Sequence, residues 1–223
     1  MAVRFSEHEF DQLKGSLVLY NCALKNIETR VNILLDDFMH LQSYNPIEHV
    51  TSRLKSPESI AAKLHRRGFP VTAQSAVDNL FDIAGIRCIC SYSKDIAFMV
   101  DIFRRQGDMK ILYERDYITH PKSTGYRSHH LALEIPIYLA EETKFIPVEV
   151  QIRTQAMDFW ASLEHKARYK YDDTGVPEYI SQELVACAEE IAALDTRMYK
   201  IQQIMEGQRC LETEENAQQT KRG

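Results

Sequence analysis

The sequence of 223 residues lacks the features that mark several large classes of protein. It has no basic excess, because 27 lysines and arginines stand against 32 aspartates and glutamates, for a net charge of −5. General nucleic-acid binders carry such an excess; DNA binding is therefore not expected, and single-stranded RNA binding stays open but has no support in the net charge. No apolar run approaches the ~20 residues that span a bilayer, and the N-terminus has no apolar signal core. We expect a cytoplasmic protein with no part in a membrane.

Cysteine patterns are also lacking. The five cysteines are scattered, and no set of cysteines and histidines has the spacing of a zinc finger. Only Cys88 and Cys90 stand close together. We expect free thiols in a reducing compartment rather than disulfides or a structural zinc site.

The sequence does contain a regular succession of helical and strand patterns. A capping box from Ser6 to Glu9 begins a long amphipathic segment, which is one helix or two in series. Further segments predict strands at 47–55, 83–92, 109–118, 131–139 and 145–153. Helical patterns separate and flank these strands. The predicted fold is α+β, with a mixed sheet of about five strands flanked by helices and by long N- and C-terminal helices.

These patterns divide the chain into four parts. They are an N-terminal helical region (1–45), a core (46–171), a C-terminal helix (177–205) and a polar tail (206–223). We expect the tail to be disordered, because its composition is polar.

One loop, from His120 to His130, concentrates cations, imidazoles and an aromatic ring between two apolar segments. Lys122 and Arg127 suit phosphates, while Tyr126 offers a flat face to a base. Glycine at position 125 allows a positive φ just before the aromatic residue. The loop therefore indicates nucleotide binding.

The strand at 145–153 alternates apolar residues with Glu149, Gln151 and Arg153. These three side chains share one face of the strand and are costly to bury without partners. One interpretation is an ordinary solvated sheet face. The other is an active-site face, with Glu149 as metal ligand or general base.

A second basic cluster lies on the strand at 47–55 and the helix that follows it. Arg53 and Lys55 share one face of the strand, and the helix adds Ser59, Lys63 and Arg66 at helical spacing. Together with the helix N-terminus, such a cluster suits a triphosphate. The alternative is a solvated cluster of long side chains.

Asp82 stands at the start of the next predicted strand. With Glu149 it could hold one Mg²⁺ through oxygen ligands, and phosphates and water would complete the shell. Alone, Asp82 reads equally as a cap or turn residue.

Four motifs stand in the order and spacing found in RelA/SpoT-type synthetase domains. They are R-x-K-x-x-x-S-x-x-x-K from Arg53, D-I-A-G-I-R from Asp82, H-P-K-S-T-G-Y-R-S-H-H from His120 and E-V-Q-I-R-T from Glu149. Over about 47–170 the chain resembles a small alarmone synthetase, the stand-alone form of these enzymes. The resemblance implies a nucleotidyltransferase-like sheet. It also implies transfer of the β,γ-pyrophosphoryl group of ATP to the 3′-hydroxyl of GDP or GTP, which gives AMP and ppGpp or pppGpp in stringent-response signalling.

The resemblance assigns roles to individual residues. It implies that Arg53 and Arg87 lie on the two faces of adenine, and that Asp82 and Glu149 hold Mg²⁺, with Glu149 also placed to take the proton of the 3′-hydroxyl. The residues expected at the ATP phosphates are Lys55, Ser59, Lys63 and Arg66. The residues expected around GDP or GTP are Lys122, Tyr126, Arg127, His130 and Gln151, with the ring face of the tyrosine on guanine.

Two other functions compete with this one. The first is a non-catalytic nucleotide- or RNA-binding module with a nucleotidyltransferase-like fold, for which two intact carboxylates would be unnecessary. The second is an enzyme that transfers a nucleotidyl group. No His-Asp dipeptide of the kind carried by the hydrolase domain of the longer relatives occurs in the sequence, so we expect synthesis of the alarmone without its degradation.

The C-terminal helix carries an apolar stripe from Ile180 to Met205 at alternating three- and four-residue steps. The stripe packs against the N-terminal helix and the sheet, or it faces another subunit. Small alarmone synthetases resembling this chain are tetramers, and we expect a homotetramer built through these helices.

Overall fold

The computed structural model describes residues 3–169, 171 and 176–220. Eleven helices and strands follow one another along the chain: α1 (Glu7–His40), β1 (Ile47–Leu54), α2 (Pro57–Arg66), α3 (Ala73–Asn79), β2 (Ala84–Cys90), α4 (Ser93–Arg105), β3 (Lys110–Asp116), β4 (His129–Tyr138), β5 (Thr143–Thr154), α5 (Gln155–Tyr169) and α6 (Glu178–Thr220).

The five strands form one mixed sheet in the order β1-β2-β5-β4-β3. The central pair β2 and β5 is parallel, and the other three pairs are antiparallel. Parallel neighbours need a long crossover, and here it contains α4 and the β3–β4 pair. The predicted fold class, a five-stranded mixed sheet flanked by helices, is confirmed.

The two faces of the sheet differ sharply in polarity. On β5 the side chains of Val148, Val150 and Ile152 are fully buried, and α1 and α4 pack across this side of the sheet. Each such side chain contributes ~1.5–3 kcal/mol when it leaves water. The opposite side, which we name the polar face, carries Glu149 and Gln151 because successive side chains of a strand alternate in direction.

The ends of the helices follow the local signals in the sequence. Ser6 caps α1 by accepting a hydrogen bond from the backbone N–H of Glu9 at 3.3 Å, and α1 is a single helix. Ser56 caps α2 in the same way, with Pro57 in its first turn. This cap fixes where α2 leaves β1, and it thereby brings the lysines of both elements to the same edge of the polar face.

The structure differs from the prediction at the C-terminus. Helix α6 continues through 206–220, where a disordered tail was expected. Glutamate and glutamine are common in this stretch, and both favour helix, so polarity alone did not exclude a helix. Residues 221–223 of the expected tail lie outside the described residues, and the four-part division of the chain stays a prediction. Among the described residues, no helix is long and apolar enough to cross a membrane.

Candidate active site

Strand register brings residues far apart in sequence onto the centre of the polar face. Gly85 of β2 lies between Arg53 of β1 and Glu149 of β5. On the other side of β5, Ala132 of β4 is paired with Glu149. Both neighbours of Glu149 are therefore small, and the carboxylate lies in a depression that longer side chains surround.

Both oxygens of the Glu149 carboxylate are hydrogen-bonded. Oε1 lies 3.2 Å from His130 Nδ1 and accepts from the hydroxyl of Tyr113 at 3.4 Å, and Oε2 accepts from Gln151 Nε2 at 2.7 Å. Burial would raise the pKa of Glu149, and so would the charge of Asp82, but the bonds from His130 and Gln151 outweigh them and hold the pKa below its ordinary value. The group is thus a fixed anion at neutral pH.

Arg153 orients the partners of Glu149 through hydrogen bonds to Gln151 and Tyr126. Its Nη2 donates to Gln151 Oε1 at 2.6 Å and to the Tyr126 hydroxyl at 2.8 Å, and that hydroxyl lies 2.9 Å from His130 Nε2. When His130 carries its proton on Nδ1, every group has a suitable partner. Two chains of hydrogen bonds then run from Arg153 to the two oxygens of Glu149.

Asp82 lies just before β2 and contacts two lysines from different parts of the chain. Lys55, after β1, and Lys63, on α2, both form ion pairs with Asp82 Oδ2. Burial would raise the pKa of Asp82, but these two ammonium groups outweigh it and lower the pKa. Burial likewise lowers the pKa of Lys55 despite the pairing. Both lysines are held beside the carboxylates, where a phosphate chain would lie.

The remaining residues expected at ATP are more exposed than this cluster. Arg53, Ser59 and Arg66 are exposed, and the charge of Arg53 reaches Lys55. Arg87 lies on the polar face beside Gln151, and its Nη1 donates to Asp158 of α5 at 3.1 Å. Strand pairing and ion pairs therefore bring Arg53, Arg87 and the two lysines to one side of the polar face, whereas the placement of Ser59 and Arg66 at ATP stays a prediction.

The loop before β4 carries the residues expected at the acceptor. The ammonium of Lys122 lies 4.6 Å from the ring centre of Tyr117 and 4.7 Å from that of Tyr126. Tyr117 and Tyr126 in turn pack edge-on against His130. Gly125 has the positive φ, 88°, that the sequence predicted. His130, which both rings contact, lies 3.2 Å from the Glu149 carboxylate and links the loop to it.

Arg127 is a predicted site residue whose contacts lie outside this cluster. Its Nη1 donates to the carbonyl of Ile118 at 3.3 Å, and it lines a small cavity with Trp160 and Asp195 behind the loop. It follows Tyr126 directly, and in an extended segment neighbouring side chains point to opposite sides.

Tyr113, Arg153 and Asp158 are parts of the site that the residue assignments did not include. Tyr113 reaches Glu149 because Ala132, which is paired with both residues, has almost no side chain. No signal in the sequence states that register. For Arg153 a signal existed, because it shares the alternating face with Glu149 and Gln151.

Asp82 and Glu149 are the residues that could hold a metal ion. Asp82 Oδ1 is buried and has no hydrogen-bond partner among the described residues, so one oxygen remains available to a cation. Oxygen donors suit Mg²⁺, which is commonly held by one or two carboxylates together with substrate phosphates. Within the described part of the chain, no group of three or more histidine, cysteine or acidic side chains has metal-site geometry. The residues fit a single Mg²⁺ shared with a bound phosphate chain.

Comparison with known proteins identifies the family to which this site belongs. A family model described as a region found in RelA/SpoT proteins matches residues 52–174, which is more than half of the chain. The chain belongs to the RelA/SpoT family. All the motifs of the polar face and of the loop at 120–130 lie inside the region that the RelA/SpoT model matches.

Two relatives resemble the chain along most of its length. It is 42% identical to the GTP pyrophosphokinase YwaC of Bacillus subtilis (strain 168) over 188 residues, which are 84% of this chain and 89% of that protein. It is 33% identical over 190 residues to the GTP pyrophosphokinase YjbM of the same organism, with 85% and 88% covered.

Solved structures of the RelA/SpoT family agree with the fold. Small alarmone synthetase 2 from Bacillus subtilis superposes with a TM-score of 0.77 at 41% identity, over 85% of this chain and 97% of that one. Small alarmone synthetase 1 from the same organism, bound to its product pppGpp, gives 0.79 at 33% identity, over 86% and 96%. The nucleotidyltransferase-like sheet that the sequence implied is confirmed.

Proposed function

We propose that the chain is a (p)ppGpp synthetase, a GTP diphosphokinase that transfers the β,γ-pyrophosphoryl group of ATP to the 3′-hydroxyl of GDP or GTP. The observation that carries this proposal is the placement of Asp82 and Glu149 between a lysine cluster and a tyrosine-lined loop on one face of the sheet. YwaC and YjbM, both named GTP pyrophosphokinases, support the same activity.

The lysine side of the polar face suits the donor, ATP. Lys55 and Lys63 hold the phosphates of ATP, and Ser59 and Arg66 contact the end of the phosphate chain. Arg53 and Arg87 flank adenine. Both lysines are paired with Asp82. A triphosphate offers them stronger acceptors and draws them away, which leaves Asp82 free to bind a cation.

The tyrosine side suits the acceptor. Tyr126 stacks on guanine, Lys122 and His130 contact the phosphates, and Gln151 lies beside the ribose. The 3′-oxygen attacks the β-phosphorus of ATP, the bond from that phosphorus to the bridging oxygen of AMP breaks, and Glu149 takes the proton. Its low pKa keeps Glu149 ionised but makes it a weak base, so placement of the reacting groups carries much of the rate.

Asp82 and Glu149 would hold Mg²⁺, and Asp82 Oδ1 is the oxygen with a free position. When bound, the ion neutralises charge on the transferred phosphates and polarises their oxygens. The protein contributes two fixed carboxylates and a set of lysines that place the phosphate chain against them.

A product analysis tests this function. The protein is incubated with ATP labelled in the γ-phosphate, GDP and Mg²⁺, and the nucleotides are separated. We expect labelled ppGpp and an equal amount of AMP, with loss of turnover in EDTA and recovery when Mg²⁺ is restored. Adenylated products would instead indicate nucleotidyl transfer, and binding without turnover would indicate a nucleotide-binding module.

The assembly and location of the protein are also proposals. An exposed apolar stripe on the outer side of α6 supports a homotetramer built through the terminal helices. We propose the cytoplasm as the place of action.

A further inference from the structure

Asp158, on the first turn of α5, lies between two arginines that serve different parts of the polar face. Arg87 Nη1 and Arg153 Nη1 both donate to Asp158 Oδ1, at 3.1 and 3.3 Å. Arg87 belongs to the side expected to bind ATP, and Arg153 holds Tyr126 on the side expected to bind the acceptor. One carboxylate oxygen therefore joins the two sides.

The two guanidinium groups are close enough to repel. Burial lowers the pKa of Arg153, and the charge of Arg87 lowers it further. The Arg153 side chain is only 2% exposed, whereas that of Arg87 is 31% exposed. Within the described residues, Asp158 is the carboxylate in ion-pair contact with either of them. A buried cation without a partner is costly, so the position of Asp158 matters to both arginines.

The two arginines are not equally free to move. Arg153 has two further acceptors, Gln151 and Tyr126, whereas Asp158 is the hydrogen-bond partner that the structure gives to Arg87. The partly exposed Arg87 can therefore turn toward a ligand on the polar face, while Arg153 stays in place.

We propose that Asp158 is a positioning residue that couples the two nucleotide sites, so that donor binding at Arg87 tightens acceptor binding at Tyr126. This inference rests on the proposed function. When Arg87 contacts the donor, it shares less of Asp158 Oδ1. Arg153 then has that oxygen to itself, and its hold on Tyr126 and Gln151 becomes firmer. Because coupling between binding sites is reciprocal, bound acceptor must tighten donor binding by the same factor.

Calorimetric titration of GDP measures this coupling directly. The intact protein is titrated with GDP in Mg²⁺, with and without saturating α,β-methylene-ATP as a donor that cannot react. For the wild-type chain we expect the donor analogue to lower the Kd of GDP at least about fivefold, the lower end of ordinary coupling. For Asp158→Asn, which keeps the size of the side chain but removes its charge, we expect a ratio near one.

Two further variants serve as controls. Asp158→Glu keeps the carboxylate and should retain more coupling than Asp158→Asn. Asp36→Asn removes an exposed carboxylate of α1 and should give the wild-type ratio. An unfolded fraction reduces the number of binding sites in both titrations of a variant equally, so loss of stability does not change the ratio of its two affinities.

The outcomes separate this inference from the proposed function. Normal GDP binding with the same ratio in the wild-type chain and in Asp158→Asn overturns the coupling and leaves the function intact. A wild-type ratio of one also overturns it. Failure of the wild-type chain to bind GDP at any concentration contradicts the proposed function itself and removes the coupling with it.

Discussion

Three side chains of the polar face are hydrogen-bonded or within hydrogen-bond distance of the Glu149 carboxylate. Glu149→Gln removes the negative charge needed at the metal and the base for the 3′-hydroxyl, while the amide keeps nearly the same shape. General-base catalysis alone contributes about 10²–10⁴-fold, so we expect kcat to fall by at least about 10³-fold when the metal ligand is lost as well. ATP binding should persist, because Lys55 and Lys63 are untouched. Single-turnover product formation and a separate ATP titration measure the two effects.

A matched control residue lies on the neighbouring strand, on the same face of the sheet as Glu149. Glu134, on β4, belongs to the same alternating set as His130 and Ala132, outside the network around Glu149. Glu134→Gln should turn over at the wild-type rate. Near-normal synthesis by Glu149→Gln would remove that residue from the mechanism.

Tyr126 has two functions that two substitutions can separate. Tyr126→Ala removes the ring, and a lost base stack costs about 1–3 kcal/mol in nucleic-acid complexes, so the acceptor KM should rise about 5- to 150-fold with little change for ATP. Tyr126→Phe keeps the ring but removes the hydroxyl that joins Arg153 to His130. A lost hydrogen bond of this kind costs about 1 kcal/mol, so we expect kcat to fall and the acceptor KM to rise by no more than about fivefold each. Equal changes for both substrates would make Tyr126 a structural residue of the loop.

For single residues, the sequence predicted the position of a side chain correctly when that position depends only on residues adjacent in the chain. Strand alternation placed Glu149 with Gln151, and helical spacing placed Ser59 with Lys63. The hydroxyl bonds of Tyr126 and the role of Asp158 depend on contacts across the fold, so the motifs could indicate their presence but not their partners. The same limit explains Arg127, whose direction is set by an extended segment that the loop sequence did not reveal.

Among the elements, the contact between α6 and the loop at 120–130 places a strict demand on one glycine. A Cβ at position 125 would lie 2.6 Å from the Cβ of Ala188 and 3.4 Å from Trp160, at a φ of 88°. The left-handed backbone alone costs ~1–2 kcal/mol for a non-glycine residue. Gly125→Ala should therefore displace the loop, lower the Tm by several degrees and raise the acceptor KM more than the ATP KM.

Two variants check the origin of that effect. Gly15→Ala, in an open position of α1, should stabilise the protein by up to about 1 kcal/mol, because alanine is the better helix former. Adding Ala188→Gly to Gly125→Ala relieves the close contact but not the backbone strain, so it should restore part of the acceptor affinity. No rescue at all would attribute the whole effect to backbone strain.

Local sequence patterns predicted most of the strands and helices. Alternation on β5, the serine caps of α1 and α2 and the glycine before Tyr126 each depend on a few adjacent residues, and the structure agrees with them. The strand order and the end of α6 do not depend on such short stretches. The strand order follows from the side chains that pack between α1 and the sheet. The position at which α6 ends follows from the helix propensity of a polar stretch.

For the molecule as a whole, the two sides of α6 bear on the expected assembly of subunits. The inner side packs on α5, with Asp195 only 8% exposed and accepting from Thr154 at 2.8 Å. The outer side presents Leu194, Met198 and Ile201, each about half exposed at 53%, 48% and 50%. An exposed apolar stripe of this length is typical of a subunit interface.

We therefore expect a homotetramer of the 25.8 kDa chain in light scattering at micromolar concentration. Leu194→Glu combined with Met198→Glu should reduce the mass, because burying unpaired carboxylates costs far more than the interface gains at two positions. Tyr138→Glu, which charges an exposed residue at the end of β4, should leave the mass unchanged. The double variant should also keep ATP binding, because none of the residues expected to bind ATP lies on α6. A wild-type mass of one chain would mean that the outer side of α6 does not join subunits.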